Sequence, residues 1–236
     1  MNGNRKKQLE QLLEEVGIKD KADLTLVHQA LIHPSYVYEG GAAAGEHNQR
    51  LEFLGDAVVG LVIGQFLFEK YPHKTEGELT KMRAAVVCEP ALARAAQQLN
   101  LGQYLLLGRG EEMMGGAKRP SNLADCFEAF AGALYLTVGL DFVRNLILRV
   151  LHHDIIQAAQ GNYGDFKTQL QEYIQRAPES RVSYQILEET GPDHDKLFLA
   201  AVYCNDEEMA RGRGRTKKEA EQQAARLALL KLGVIQ

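Results

Sequence analysis

Cysteine is scarce in this 236-residue chain: Cys88, Cys126 and Cys204 are odd in number, far apart and without a CxxC pair. That excludes a disulfide scaffold and a cysteine-rich zinc framework, and it fits a reducing compartment. Long apolar runs are missing too. The longest charge-free apolar stretch, residues 57–68, is shorter than the ~20 residues a bilayer span needs. The basic N-terminal segment has no apolar region behind it, which argues against a secretory signal. A cytoplasmic protein with no membrane partner is expected. Excess charge is also absent: the net charge is −4, so any site for a polyanion must be local. No Ser-His-Asp or paired-His arrangement offers metal-free chemistry, and the adjacent His152 and His153 cannot share a helical face. A hydrophobic share of 45% remains, enough for one large or two small domains with a sizeable core.

The most informative stretch is residues 48–67, NQRLEFLGDAVVGLVIGQFL. Between Arg50 and Glu69 every residue is apolar, Gly or Gln except Glu52 and Asp56, a composition that predicts a helix packed on most of its faces. The two carboxylates stand at i and i+4, on one face and close enough to repel. Residues 121–140, SNLADCFEAFAGALYLTVGL, repeat the anomaly with Asp125 and Glu128 at i and i+3. Acidic pairs at helical spacing usually mark a solvated face. Here the flanks are apolar and neither segment contains a Lys or Arg between its acids, so a solvated face is the poorer account: unpaired buried charge is costly. Four carboxylates converging on a hard cation fit better, and oxygen-only donors favour Mg2+ or Mn2+ over zinc.

NQRLEFLGDAVV, residues 48–59, closely resembles the signature of the bacterial ribonuclease III family, and DCFEAFAGALY, residues 125–135, resembles that family's second acidic motif. Order and spacing match, and the resemblance extends over essentially the whole chain. It implies an all-α endonuclease domain followed by a small α+β domain of α-β-β-β-α order that binds double-stranded RNA.

The rest of the pattern agrees. Apolar spacing predicts helices over residues 8–16, stopped by Gly17, and over 23–32, ending before Pro34. Residues 33–36 read as a turn and 40–48 as a flexible loop. A helical pattern begins near Glu76 and is broken by Pro90. Residues 108–122 read as a mobile surface loop, and 141–159 as one more helix. Residues 1–156 are therefore expected to be all-helical, 157–164 a linker, and 165–233 the second domain. There a helix over 165–176 precedes strands over 183–189, 197–204 and 208–213, joined by the turns GPDHD and NDEE. The last helix spans 216–232 behind the capping-box pattern Thr216-Lys217-Lys218-Glu219.

Eleven Lys and Arg face twelve Asp and Glu in the second domain, yet Arg211, Arg213, Arg215, Lys217 and Lys218 fall within eight residues. Lysines in a first helical turn conflict with the helix dipole, and a phosphate lying across the helix N-terminus relieves that conflict. By the resemblance, Lys217 and Lys218 behind Thr216 meet a phosphate row, the His194 turn reaches a minor groove, and Thr168, Gln171 and Gln175 face RNA from the first helix.

Combined, the segments predict metal-dependent hydrolysis of phosphodiesters in double-stranded RNA, with Glu52, Asp56, Asp125 and Glu128 as the cation-holding ring and Asp56 and Glu128 as the catalytic acids. The resemblance further implies a homodimer in which Phe53 plugs into the partner, 5′-phosphate and 3′-hydroxyl ends with two-nucleotide 3′ overhangs, and ribosomal RNA precursors and structured RNAs as substrates. It also implies Glu76 as a supporting acid, with Glu78 a rival for that role. Gln49 stands where many members have Glu, which leaves the ring intact and removes one nearby charge. Two other readings compete: a double-stranded RNA-binding regulator that does not cut, and a helical hydrolase of small nucleotides. The intact acidic quartet argues against the first, and the second leaves the C-terminal domain unexplained.

Overall fold

Leu9, Leu12, Leu13 and Val16 recur at helical spacing, and all four are buried on α1 (Gly3–Val16). The helix ends at Gly17, whose φ of 94° and N–H bonds to the carbonyls of Glu14 and Leu13 make a left-handed C-cap. The computed structural model describes residues 1–18, 22–161, 166–175, 180–192 and 196–235. Those residues divide into two compact units, Met1–Ile156 and Gln157–Gln236.

The first unit is helical. After α2 (Leu24–Ala30), the segment expected to be a turn forms the short helix α3 (Pro34–Tyr38), with Pro34 in its first turn and the His33 ring accepting the Ser35 N–H. The centre is a pair of long helices, α4 (Gln49–Lys70) and α8 (Pro120–Val138), which pack on each other more extensively than any other helix pair described. Around them lie α5 (Glu76–Val86), α6 (Glu89–Gln98), α7 (Arg109–Met113), α9 (Leu140–Val150) and α10 (His152–Ala159). The break between α5 and α6 falls at Val87 and Cys88, and Pro90 occupies the first turn of the second helix, where its missing N–H costs nothing.

Three further expectations need correction. Residues 108–122 are an ordered corner rather than a loop: the Glu39 carboxylate accepts the N–H groups of Arg109 and Gly110 at the start of α7, and Glu111 accepts from Asn122 and Arg119. The single helix expected over 141–159 is two, parted at Leu151, with Asp154 of the second held by Arg94 of α6. Finally, α4 is not packed on most of its faces. Leu51, Val58, Val59, Val62, Ile63 and Leu67 are buried, whereas Phe53, Leu61 and Phe68 are 81%, 57% and 73% exposed. Within one chain its neighbours cover one side only. At 22 residues it is, by length and composition, the one described helix able to cross a membrane, but its buried side is the core of the first unit.

In the second unit α11 (Phe166–Ile174) and α12 (Lys217–Lys231) accompany an antiparallel sheet of order β1 (Val182–Thr190), β2 (Leu197–Cys204), β3 (Glu207–Gly214). Asn205 and Asp206 both take positive φ, the two-residue turn that matches strand twist. Ala210, Gly212 and Gly214 of β3 face inward and Arg211 and Arg213 outward. A Cβ on Gly212 would stand 2.1 Å from the Ala224 nitrogen, and one on Gly214 2.5 Å from that of Ala220. The glycines between the arginines thus seat α12 directly on the strand. The core there is Leu170, Val202, Ala224, Ala225, Ala228 and Leu229.

Candidate active site

Glycine inside a helix costs about 1 kcal/mol relative to Ala unless close packing requires it. Gly55 on α4 and Gly132 on α8 meet that requirement. A Cβ on Gly55 would lie 1.8 Å from the Glu128 carbonyl oxygen, and one on Gly132 2.4 Å from the Leu51 carbonyl oxygen. Alanines continue the contact, since Ala129 and Ala133 pack with Leu51 and Ala30. The two backbones touch where the acids are, one residue before Asp56 and at Glu128 itself.

Carboxylate oxygens of Glu52, Asp125 and Glu128 consequently lie within 4.8 Å of one another, each residue partly buried. Asp56 stands outside that threefold group and is exposed, but its charge acts on both Glu52 and Glu128. Burial, then the charges of Asp56, Glu52 and Asp125, push the Glu128 carboxyl up to about 8. Burial and then Asp125 and Asp56 raise Glu52. Asp125 is raised by burial, against the opposing influence of His33. An acidic group of this kind, with no ion pair to any of its members among the described residues, has the donor chemistry of a hard-metal site.

Glu76 and Glu78 part company. Glu78 closes a capping box with Thr75 and takes Lys74 at 2.9 Å; the Thr75 N–H, then the Lys74 ammonium, hold its carboxyl down at about 2. Glu78 therefore has a structural role. Glu76 is exposed in the first turn of α5, accepts the Thr80 hydroxyl at 3.0 Å, and does not belong to the threefold group. His33, read from sequence as part of a turn, is near enough to Asp125 for their charges to interact. Phe53 follows Glu52 and points away from the core at 81% exposure.

Thr168, Gln171 and Gln175 are all exposed and recur at i, i+3 and i+7, opposite buried Leu170. Lys217 and Lys218 open α12 and are exposed, and the Thr216 hydroxyl accepts the Glu219 N–H. The expected capping box is displaced by one residue: the Glu219 carboxylate accepts the N–H of Arg215, not of Thr216. Two members of the basic cluster have intramolecular partners. Arg211 makes two bonds to Glu208, and Lys217 lies 3.9 Å from Glu189 and over the Phe198 ring. His194 lies outside the described residues.

Residues 23–155 match the family model described as ribonuclease-III-like, and residues 166–232 match the double-stranded RNA binding motif. The Ribonuclease 3 of Syntrophomonas wolfei is 54% identical over 204 residues, 86% of this chain and 87% of that protein. That of Heliobacterium modesticaldum is 52% identical over 219 residues, 93% of each. Among solved structures, the nuclease domain of the Campylobacter jejuni enzyme superposes with a TM-score of 0.56 at 40% identity, covering 63% of this chain and 96% of that one. An acidic helix crossing joined to such a motif, with relatives this similar along nearly the whole length, places the chain in the ribonuclease III family as an endoribonuclease of that type.

Proposed function

We propose that the chain cuts double-stranded RNA by Mg2+-dependent hydrolysis, with Mn2+ able to substitute, and that Glu52, Asp56, Asp125 and Glu128 hold the cation. The threefold approach of Glu52, Asp125 and Glu128 carries this reading. A divalent ion there supplies Lewis acidity toward phosphate oxygens and a water of lowered pKa. Glu128 must give up its proton to serve as a ligand, so binding of the cation is coupled to proton release. Asp56 is the most open of the four acids. Glu76 acts in support, and Gln49 trims the negative charge at the head of α4.

In this reading residues 1–156 form the endonuclease domain, 157–164 the linker and 165–233 the RNA-binding domain. Thr168, Gln171, Gln175, His194, Thr216, Lys217 and Lys218 contact the duplex, largely by shape and phosphate. Two copies pair through the open apolar side of α4 centred on Phe53. A Campylobacter nuclease-domain structure is itself described in terms of a region involved in dimer formation. Products carry 5′-phosphate and 3′-hydroxyl ends with two-nucleotide 3′ overhangs, and the substrates are cytoplasmic ribosomal RNA precursors and structured RNAs.

Titrating Mg2+ against a perfect RNA duplex and reading the ends of the products tests the proposal. Cleavage leaving 5′-phosphates supports it. Binding without cleavage at saturating Mg2+ or Mn2+ favours the non-catalytic RNA-binding reading instead.

A further inference from the structure

Arg5 is the misfit of the first unit. The residue is 8% exposed, and no carboxylate pairs with it among the described residues. Nε donates to His28 Nδ1 at 3.2 Å, Nη1 reaches Gln8 Oε1 at 3.5 Å, and Nη2 is buried with no hydrogen-bond partner. Burial lowers Arg5, and burial followed by the Arg5 charge lowers His28, which accordingly serves as a neutral acceptor. A buried guanidinium without a counter-charge is a large penalty, and an apolar residue of similar volume would avoid it.

Beside it opens a cleft of about 340 Å³ lined by Asn2, Asn4, Arg5, Gln8, His28 and Tyr36 among others. Asn2 caps α1 by accepting the Arg5 N–H, so the positive end of a 14-residue helix dipole also meets this cleft. Glu46 is the acid whose charge reaches His28, and one of its oxygens already accepts the Ala43 N–H.

We propose that this cleft binds a phosphate-type oxyanion, with Arg5 as its charge partner and the amides and hydroxyl around it as further donors, apart from the carboxylate cluster. Its volume exceeds that of a bare phosphate, so the same chemistry is available from free inorganic phosphate or from a terminal 5′-phosphate on a nucleotide. An anion here joins three elements, since α1 supplies Arg5, α2 supplies His28 and α3 supplies Tyr36. The Tyr36 ring already packs on Gly41, where a Cβ would lie 2.5 Å from it.

Calorimetric titration of the full chain tests the site, with inorganic phosphate and with adenosine 5′-monophosphate, in EDTA and at matched ionic strength. The Lys217→Ala/Lys218→Ala background removes the competing basic patch. Saturable binding with a dissociation constant of ~1 mM or below is expected, weakened at least about tenfold by Arg5→Met, as one charge-assisted contact is worth. Tighter binding of the nucleotide identifies a terminal phosphate as the ligand, and equal affinity identifies free phosphate. Arg5→Met should unfold no earlier than the parent without phosphate, because an unpaired charge has been removed. Should that variant fail to fold, Arg5→Lys and His28→Gln serve in its place and should each weaken binding several-fold. Absence of saturable binding in the parent, or the parent's affinity in folded Arg5 variants, overturns the proposal.

Discussion

At the scale of single residues, the acids and the glycines at the α4–α8 crossing are inseparable. Glu128 is held up to about 8 by burial and three neighbouring carboxylates. From the ordinary carboxylate range up to that value the folded chain keeps a proton that the unfolded chain has released, so metal-free stability falls as pH rises through this window. Thermal unfolding in EDTA should therefore show Tm declining from about pH 5 to about pH 8. Glu128→Gln should remove much of that slope, and Mg2+ should stabilise the parent more at the upper end than at the lower. A flat profile in the parent would contradict the electrostatics described. The same variant should cut duplex RNA on the order of 10²-fold more slowly or worse, with binding nearly unchanged, as gel-shift and cleavage assays can compare. Gly55→Ala should be far more damaging than its one methyl suggests. The added carbon meets backbone rather than a movable side chain, so a loss of about 3 kcal/mol or more is expected in denaturant titration. The four acids were legible in the sequence because charge stands out in apolar flanks. The glycines that bring Glu52, Asp125 and Glu128 together were not, although a glycine inside each acidic helix was the available signal.

Among the elements, the helical series and the three strands could be read from periodicity, and β2 falls at the expected residues. Elements held by distant side chains could not. Residues 108–122 look like a loop because glycine and mixed charge dominate them, and only Glu39 and Glu111, remote in sequence or in spacing, show why they are ordered. The parting of α9 from α10 leaves no proline or glycine to find. The start of α12 was legible through its Thr216 cap, and it carries the clearest prediction at this scale. Lys217→Ala/Lys218→Ala should weaken duplex binding more at low salt than at high salt and reduce the slope of log affinity against log salt by about 1 to 2. Fluorescence anisotropy over a salt series measures this. An unchanged slope would remove both lysines from the phosphate contacts.

For the whole molecule, length and composition allowed one large or two small domains and little more. Hydropathy hid the open side of α4, because a helix apolar all round reads as buried all round, and only the family resemblance pointed Phe53 toward a partner. Phe53, Leu61 and Phe68 stand exposed on that side, the first of them next to Glu52 in sequence. Phe53→Asp should shift sedimentation from dimer toward monomer and depress cleavage together with it, while circular dichroism stays helical. A monomeric parent at micromolar concentration would rule out the proposed pairing.

The alternation along β3 has a further consequence. Because the inward positions are fixed by contact with α12 while their neighbours project into solvent, the strand separates two kinds of evolutionary change. Exchanging an outward arginine alters surface charge and leaves the scaffold intact. Exchanging an inward glycine dismantles the scaffold, so variation along this strand should be confined to every second site.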